Sequence, residues 1–291
     1  MDIYKKSVIE LSKLLNKREV SSLEMTDYFI NRQELTSTFL LIDVRIKPQT
    51  IDVNFIKWMG ENDIHAICLQ ETKAHSGSVP VLLLNSIGYH HCWHSAKRKG
   101  YSGVATFSKI KPRHIEFGMG LEKYDVEGRI LRTDFENLTV INCYIPNGSA
   151  SQVRHNFKLE FLKDFSGWVT KIREEQPRVI VVGDFNIARS LLDVPPDQAT
   201  TSPSGFRQDE RHWLQQWLDE GFIDSFRNQT PAGRSYTWWP PTNPTRTDRG
   251  AWRIDYQFVN ATLQSSIQNV AHLKNIYYSD HCPVLLEIDD N

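Results

Sequence analysis

Apolar residues along this chain follow two different periods. Over the first 36 residues they recur at helical spacing: Val8, Leu11, Leu14 and Leu15, then Leu23, Met25, Tyr28 and Phe29 behind a Ser21–Glu24 capping-box pattern. That pattern predicts a helical hairpin, an N-terminal extension spanning 1–36. From position 37 onward, runs rich in Val and Ile take over: AICLQE, TVINCYIPNG, RVIVVGDFN, RIDYQFV and SDHCPVLLEI. Such runs read as buried strands. Between them, Phe55, Ile56 and Met59 predict a helix before HAICLQ, and Phe157, Leu159, Phe161, Leu162, Phe165 and Trp168 predict another before VIVVGDFN. A third is predicted over Trp213, Leu214, Trp217 and Leu218, ending near Gly221. With no Gly/Ser-rich linker and no internal repeat, strands alternating with helices predict a single α/β domain over 37–291.

What distinguishes these runs is where they stop. Glu71, Tyr144, Asp184, Asn186, Asp255, Asp280 and His281 each sit at the end of one, so the fold is expected to gather them at one rim of a sheet sandwich. Acids, amides and an imidazole gathered in that way suit phosphodiester chemistry. In GDFN the run Val179 to Val182 ends at Gly183, Asp184 and Asn186, a turn that delivers a carboxylate and an amide together. A plain Gly-Asp turn with an Asx cap explains the same tetrapeptide, and it is the other run ends that favour chemistry. Asp280 and His281 are adjacent ahead of a core strand and point in different directions, one able to face a metal and the other a substrate oxygen. Asp255 is set between Ile254 and a largely apolar run, and a buried carboxylate needs a partner. A histidine is the natural one.

Composition narrows the picture less. The 291 residues, 40% hydrophobic and 11% aromatic, can bury a sizeable core. A formal net charge of -1 exerts no overall pull on nucleic acid, so an anionic partner must meet local basic surface such as Lys97-Arg98-Lys99 or the stretch from Arg246 to Arg253. Cys68, Cys92, Cys143 and Cys282 lie far apart, as suits reduced thiols in the cytosol. No apolar stretch approaches the roughly 20 residues of a membrane span and the N-terminus lacks a signal peptide's apolar core. A cytoplasmic protein, away from any membrane, is expected. His90, His91, Cys92 and His94 read as strand rather than as a zinc site, because alternate strand residues face opposite sides. The long irregular segments Leu191 to Gln208 and Thr230 to Gly250 are expected to serve function.

From about Asp43 to Glu287, the segments ICLQETK, WHSAKRKGYSGVATFSK, EGRILRTDF, VINCYIPNG, VVGDFNIA, ERHWLQQWLDEGFIDSFR, YTWW, WRIDY and SDHCPV occur in that order. In them the chain resembles the exonuclease III type of apurinic/apyrimidinic endonucleases, within the exonuclease-endonuclease-phosphatase superfamily. The QE, GDFN and SDH fragments also occur in secreted DNases and phosphoesterases, whereas GYSGVA, DSFR and WRIDY point to the DNA-repair branch. The resemblance implies a four-layer α/β sandwich of two mixed sheets flanked by helices, and a Mg²⁺-dependent phosphodiesterase, with Mn²⁺ as the other candidate ion. It implies Glu71 and Asp280 as metal ligands, Asp184 to align or deprotonate the attacking water, and Asn186 to hold that water or a phosphate oxygen. His281, oriented by Asp255, would hydrogen-bond the scissile phosphate, which Tyr144 and Asn147 would also contact. Trp238 and Trp252 would wall a pocket for a flipped-out abasic sugar, and Arg98, Lys99 and Lys109 would track DNA phosphates. The expected partner is double-stranded DNA with abasic sites or 3′ ends, bound by a monomer. Incision 5′ to the abasic site would be accompanied by 3′ exonuclease or 3′-phosphodiesterase activity.

The chain departs from the family at its opening. There the family carries Asn-x-Asn-Gly-Ile-Arg, whose first Asn helps bind the metal; ungapped counting puts Asp43 at that Asn and gives the remainder to Arg45, Ile46, Lys47 and Pro48. Aspartate is a competent third metal ligand, but its extra charge is expected to tighten the metal and slow turnover. Pro203 stands where the family often has an Asn that supports the site. Residues 7–36 resemble instead the N-terminus of amidase-signature proteins, without that family's Ser-Lys chemistry. A catalytically weakened DNA-binding protein and a non-repair phosphoesterase are therefore the alternatives.

Overall fold

The computed structural model describes residues 38–45, 51–62, 64–75, 81–196, 198 and 202–289, and the predicted hairpin of residues 1–36 lies outside the described residues. Among the described residues, twelve strands form two six-stranded sheets. The first contains β1 (Thr38–Arg45), β2 (Ala66–Gln70), β3 (His90–His94), β4 (Val104–Ser108), β11 (Ile267–His272) and β12 (Val284–Asp289), in the order β11-β12-β1-β2-β4-β3. The second contains β5 (His114–Phe117), β6 (Ile130–Asp134), β7 (Thr139–Tyr144), β8 (Val179–Asp184), β9 (Phe222–Asp224) and β10 (Asp255–Asn260), in the order β5-β6-β7-β8-β10-β9. In each sheet one described pair is parallel, β1 with β2 and β7 with β8, so both sheets are mixed.

Period-two alternation explains why these strands read as unbroken apolar runs. In β1, Phe39 and Leu41 face the second sheet, where they join Val140, Ile180 and Val182, while Leu40, Ile42 and Val44 face outward onto a helix. That helix, α1 (Val53–Glu61), buries the predicted Phe55, Ile56 and Met59, and the Asp52 carboxylate caps it by accepting from the amides of Asn54 and Phe55. α2 (Val81–Ser86) and the four-residue α3 (Glu122–Asp125) follow in chain order. On the far side α4 (Gln152–Glu175) lays Phe161, Leu162, Phe165 and Val169 on the outer face of the second sheet beside α5 (Gln208–Asp219), whose Trp217 stacks on Phe222 at 4.1 Å. α6 (Ser225–Gln229) closes the edge. Helix, sheet, sheet and helix make four layers, the expected sandwich.

One polar contact fixes the sheets against each other beneath one rim, and one glycine sets how closely two strands of the second sheet approach there. Gln70 Nε2 donates to Asn142 Oδ1 at 2.9 Å, and Asn142 Nδ2 donates back to the Ala105 carbonyl at 2.8 Å, so a buried amide strut joins β2, β7 and β4. Gly183 has φ +139°, and a Cβ there would lie 1.8 Å from the Cys143 carbonyl oxygen. Only glycine lets β8 approach β7 that closely just before Asp184.

Candidate active site

Strand register brings the expected side chains to this rim. Tyr144 lies opposite Asp184 in the parallel β7–β8 pair, and Asp255 lies opposite Asp184 in the antiparallel β8–β10 pair. In the other sheet Asp43 is opposite Cys68 and Val284, Arg45 is opposite Gln70, and Glu71 follows directly with φ +51°. Asp280 and His281 arrive from the turn that leads into β12.

His281 and Asp255 form a buried dyad, with Nδ1 2.9 and 3.0 Å from the two carboxylate oxygens. Burial opposes an imidazolium, but the charge and hydrogen bond of Asp255 outweigh it and raise the His281 pKa. Asp184 Oδ1 accepts from the Asn186 amide at 2.9 Å while its Oδ2 has no hydrogen bond. Burial first, and then the charge of Asp255, push the Asp184 carboxyl up to about 6 against the pull of His281 and Arg45. Asn186, at φ +51°, donates through Nδ2 to the Ile145 carbonyl at 2.9 Å and accepts from Asn147 Nδ2 at 3.0 Å. Tyr144 is 7% exposed, with the Arg129 guanidinium 4.7 Å from its ring centre.

Trp238 and Trp252 pair through their main chains, and Trp238 also bridges to His281. Trp238 Nε1 donates to Asp280 Oδ2 at 3.2 Å. The two rings stand in a cavity of about 420 Å³ together with Arg45, Asn147, Asn186 and Pro203. A wider groove of about 1000 Å³, which also touches Asn147, is lined by Lys97, Arg98, Tyr101 and Arg154. Lys99 is exposed in the same β3–β4 turn.

The basic surface is smaller than the sequence predicted. Lys109 follows the end of β4 that pairs with Ala66, opposite to the end that pairs with Gln70 beside Glu71, and the structure does not bring it to the site. Within the stretch from Arg246 to Arg253, Arg253 is wholly buried between Asp193 and Asp224. Arg246 donates to the carbonyls of Lys274, Ile276, Ser279 and His281, bracing the turn that presents the dyad. Both arginines are scaffold.

Three further residues escaped the sequence reading. Lys158 Nζ donates to the Asn186 carbonyl at 2.8 Å and to Glu210 Oε1 at 2.7 Å, and Glu210 Oε2 accepts from the amides of Gly205 and Arg207 at 2.7 and 3.0 Å. Lys158 belongs to the helical stripe that continues through Phe161, Leu162 and Phe165, and a charge on an apolar stripe is the signal that could have found it. The third is Arg45. Its Nε and Nη2 donate to Glu71 Oε2, its Nη1 donates to His281 Nε2 at 2.8 Å, and Nη1 is 3.9 Å from Asp184 Oδ2. Lys73 holds Glu71 Oε1 at 3.0 Å. Burial works against ionisation of Glu71, yet Arg45 and Lys73 keep its carboxyl below the ordinary range. An imidazole that accepts the Arg45 bond at Nε2 carries its proton on Nδ1, toward Asp255.

Whether these side chains fit a divalent cation is decided by their unused oxygens. Both carboxylate oxygens of Asp43 and Oδ2 of Asp184 are buried without a hydrogen bond, and burial, Asp255 and Asp184 push the Asp43 carboxyl well up. Unpaired buried oxygens of this kind suit a hard cation. Among the described residues, Asp184, Asp255 and His281 each place one ligand-type atom within 4.8 Å of the others. Two of those three are already bonded to each other as the dyad, and Asp43, the predicted ligand with both oxygens unused, is not among the three. Of the other two predicted ligands, Glu71 is engaged by Arg45 and Lys73, and Asp280 by Trp238.

The model of the endonuclease/exonuclease/phosphatase family matches residues 52–281. The exodeoxyribonuclease of Bacillus subtilis is 35% identical over 81% of this chain and 93% of its own length. The DNA-(apurinic or apyrimidinic site) endonuclease of Dictyostelium discoideum is 31% identical over 81% of this chain and 66% of its own. Among solved structures, the 3′-5′ exonuclease from Neisseria meningitidis superposes with a TM-score of 0.80 at 25% identity, covering 86% of this chain and all of that one. The chain belongs to the endonuclease/exonuclease/phosphatase family and is a hydrolase of its exonuclease III type.

Proposed function

We propose that this chain is a divalent-cation-dependent DNA-repair phosphodiesterase that incises duplex DNA 5′ to abasic sites and trims 3′ ends at the same centre. The observation that carries the reading is the meeting of Asp184, Asn186 and the Asp255–His281 dyad beside a cavity walled by Trp238 and Trp252. In it, Asp184 orients water through the oxygen that no protein group uses, while Asn186 and Asn147 hold that water and a non-bridging phosphate oxygen. His281 presents Nε2 to the same phosphate, with Asp255 fixing the ring, and Tyr144 adds a further contact. Asp43, Glu71 and Asp280 would hold Mg²⁺ or Mn²⁺. When bound, such an ion neutralises charge on phosphate oxygens.

Attack in line on phosphorus leaves a 3′-hydroxyl and a 5′-deoxyribose phosphate. The tryptophan-walled cavity suits an extruded sugar, because a missing base makes extrusion cheap. Arg98 and Lys99 extend the phosphate track toward the duplex. We place this activity in the cytoplasm and on a monomer; among the described residues no helix is long and apolar enough to cross a membrane.

The test is an end-labelled duplex carrying one abasic analogue, incubated with wild type, Asp184→Ala or His281→Ala, with and without EDTA. A single incision band from wild type, lost in EDTA and in both variants, supports the reading. Cleavage of intact DNA or a phospholipid in preference to the abasic duplex overturns it.

A further inference from the structure

Arg45 has no place in that mechanism. It ends β1 opposite Gln70, and its guanidinium enters the ring of acids, bonded to Glu71, donating to His281 Nε2 at 2.8 Å and lying 3.9 Å from Asp184 Oδ2. The Tyr144 ring centre is 5.9 Å away. A guanidinium is permanently charged, and its planar fork matches carboxylates. Glu71, one of the acids that would hold a metal, is therefore already paired with a cation tethered to the chain, and Asp184 faces the same cation.

We propose that Arg45 is a tethered competitor of the divalent cation, filling the position between Glu71, Asp184 and His281, so that the metal binds only as Arg45 withdraws. This rests on the nuclease reading and narrows it to the affinity of one site. Two contacts carry it. Glu71 has both oxygens engaged, one by Arg45 and one by Lys73, so an entering ion must displace a cation rather than water. Arg45 also occupies the His281 nitrogen that would face phosphate. Because Arg45 lines the same cavity as Asn147 and Trp238, a phosphate bound there offers the displaced guanidinium a new partner.

The experiment is Mn²⁺ binding to the full chain without DNA, read as the free-ion signal by electron paramagnetic resonance. Arg45→Gln and Arg45→Ala are expected to bind Mn²⁺ at least tenfold more tightly than wild type, and Arg45→Lys, which keeps the charge, to stay near wild type. Adding Glu71→Gln to Arg45→Ala should abolish the gain. Circular dichroism confirms that each variant is folded, and Arg45→Gln, closest in shape, serves if Arg45→Ala is not. Equal or weaker binding by the neutral variants overturns the proposal. No substrate is present, so this result is independent of whether the chain cleaves abasic DNA.

Discussion

Lys158 and Glu210 are both wholly buried, joined at 2.7 Å, and stand directly behind the Asn186 carbonyl. They tie the GDFN turn to the Gly205 loop, where a Cβ on Gly205 would come within 2.9 Å of both Asn186 O and Trp252. Burial depresses the Lys158 pKa, and the charge and hydrogen bond of Glu210 offset it only in part.

Removing one partner of that pair should cost more than removing both. Glu210→Gln leaves a buried ammonium without its counter-charge and is expected to destabilise the fold by about 3–5 kcal/mol. The double variant Lys158→Met/Glu210→Leu should recover much of this. Urea unfolding of the three proteins at pH 7 checks the order.

The buried arginine behind Trp252 sets a pH dependence. Burial opposes ionisation of Asp193, but Arg253 and Arg227 hold its carboxyl down at about 2. An unfolded aspartate titrates near 4, so this group's contribution, roughly 2 kcal/mol, is present above pH ~4 and is lost as pH falls toward 2. Asp193→Asn should therefore be destabilised at neutral pH, with the gap to wild type narrowing through that window. Denaturant midpoints measured from pH 7 to pH 2 show whether it does.

Trp252→Ala should discriminate between substrates. Loss of one cavity wall is expected to slow abasic-site incision by roughly 10- to 100-fold, in line with 1–3 kcal/mol for an aromatic contact. Trimming of an ordinary 3′ end should change less. The ratio of the two rates, measured on matched duplexes, is the readout, and equal losses would argue that Trp252 only supports the loop.

Gly183→Ala puts a methyl against the Cys143 carbonyl at a φ that L-residues avoid, so β8 has to shift. Destabilisation of several kcal/mol is expected, with Asp184 displaced. Thermal unfolding reads the first effect and single-turnover rates the second.

Much of this centre was legible because strand ends are local events. A Val/Ile run that breaks at Gly183-Asp184 or before Asp255 announces both the strand and the group it delivers. Partners distant in sequence were not legible: Lys158 finds Glu210 52 positions away, and Arg246 finds its carbonyls 28 to 35 positions away. Lys109 sits at the end of β4 away from Glu71, and a basic residue next to a strand does not say which end of the sheet carries the chemistry. Arg45 was visible only as a missing motif, since nothing local fixes where a guanidinium at a strand end will point.

The central claim, that Asp184 and the Asp255–His281 dyad act as one hydrolytic unit, is tested most directly by single-turnover incision of an abasic duplex with saturating Mg²⁺. Wild type should cut, Asp184→Asn and His281→Gln should each be slower by about 100-fold or more, and the double variant should be little slower than the worse single, as for residues that act together. Incision at the wild-type rate by either single variant, or none by wild type at any Mg²⁺ concentration, would contradict it.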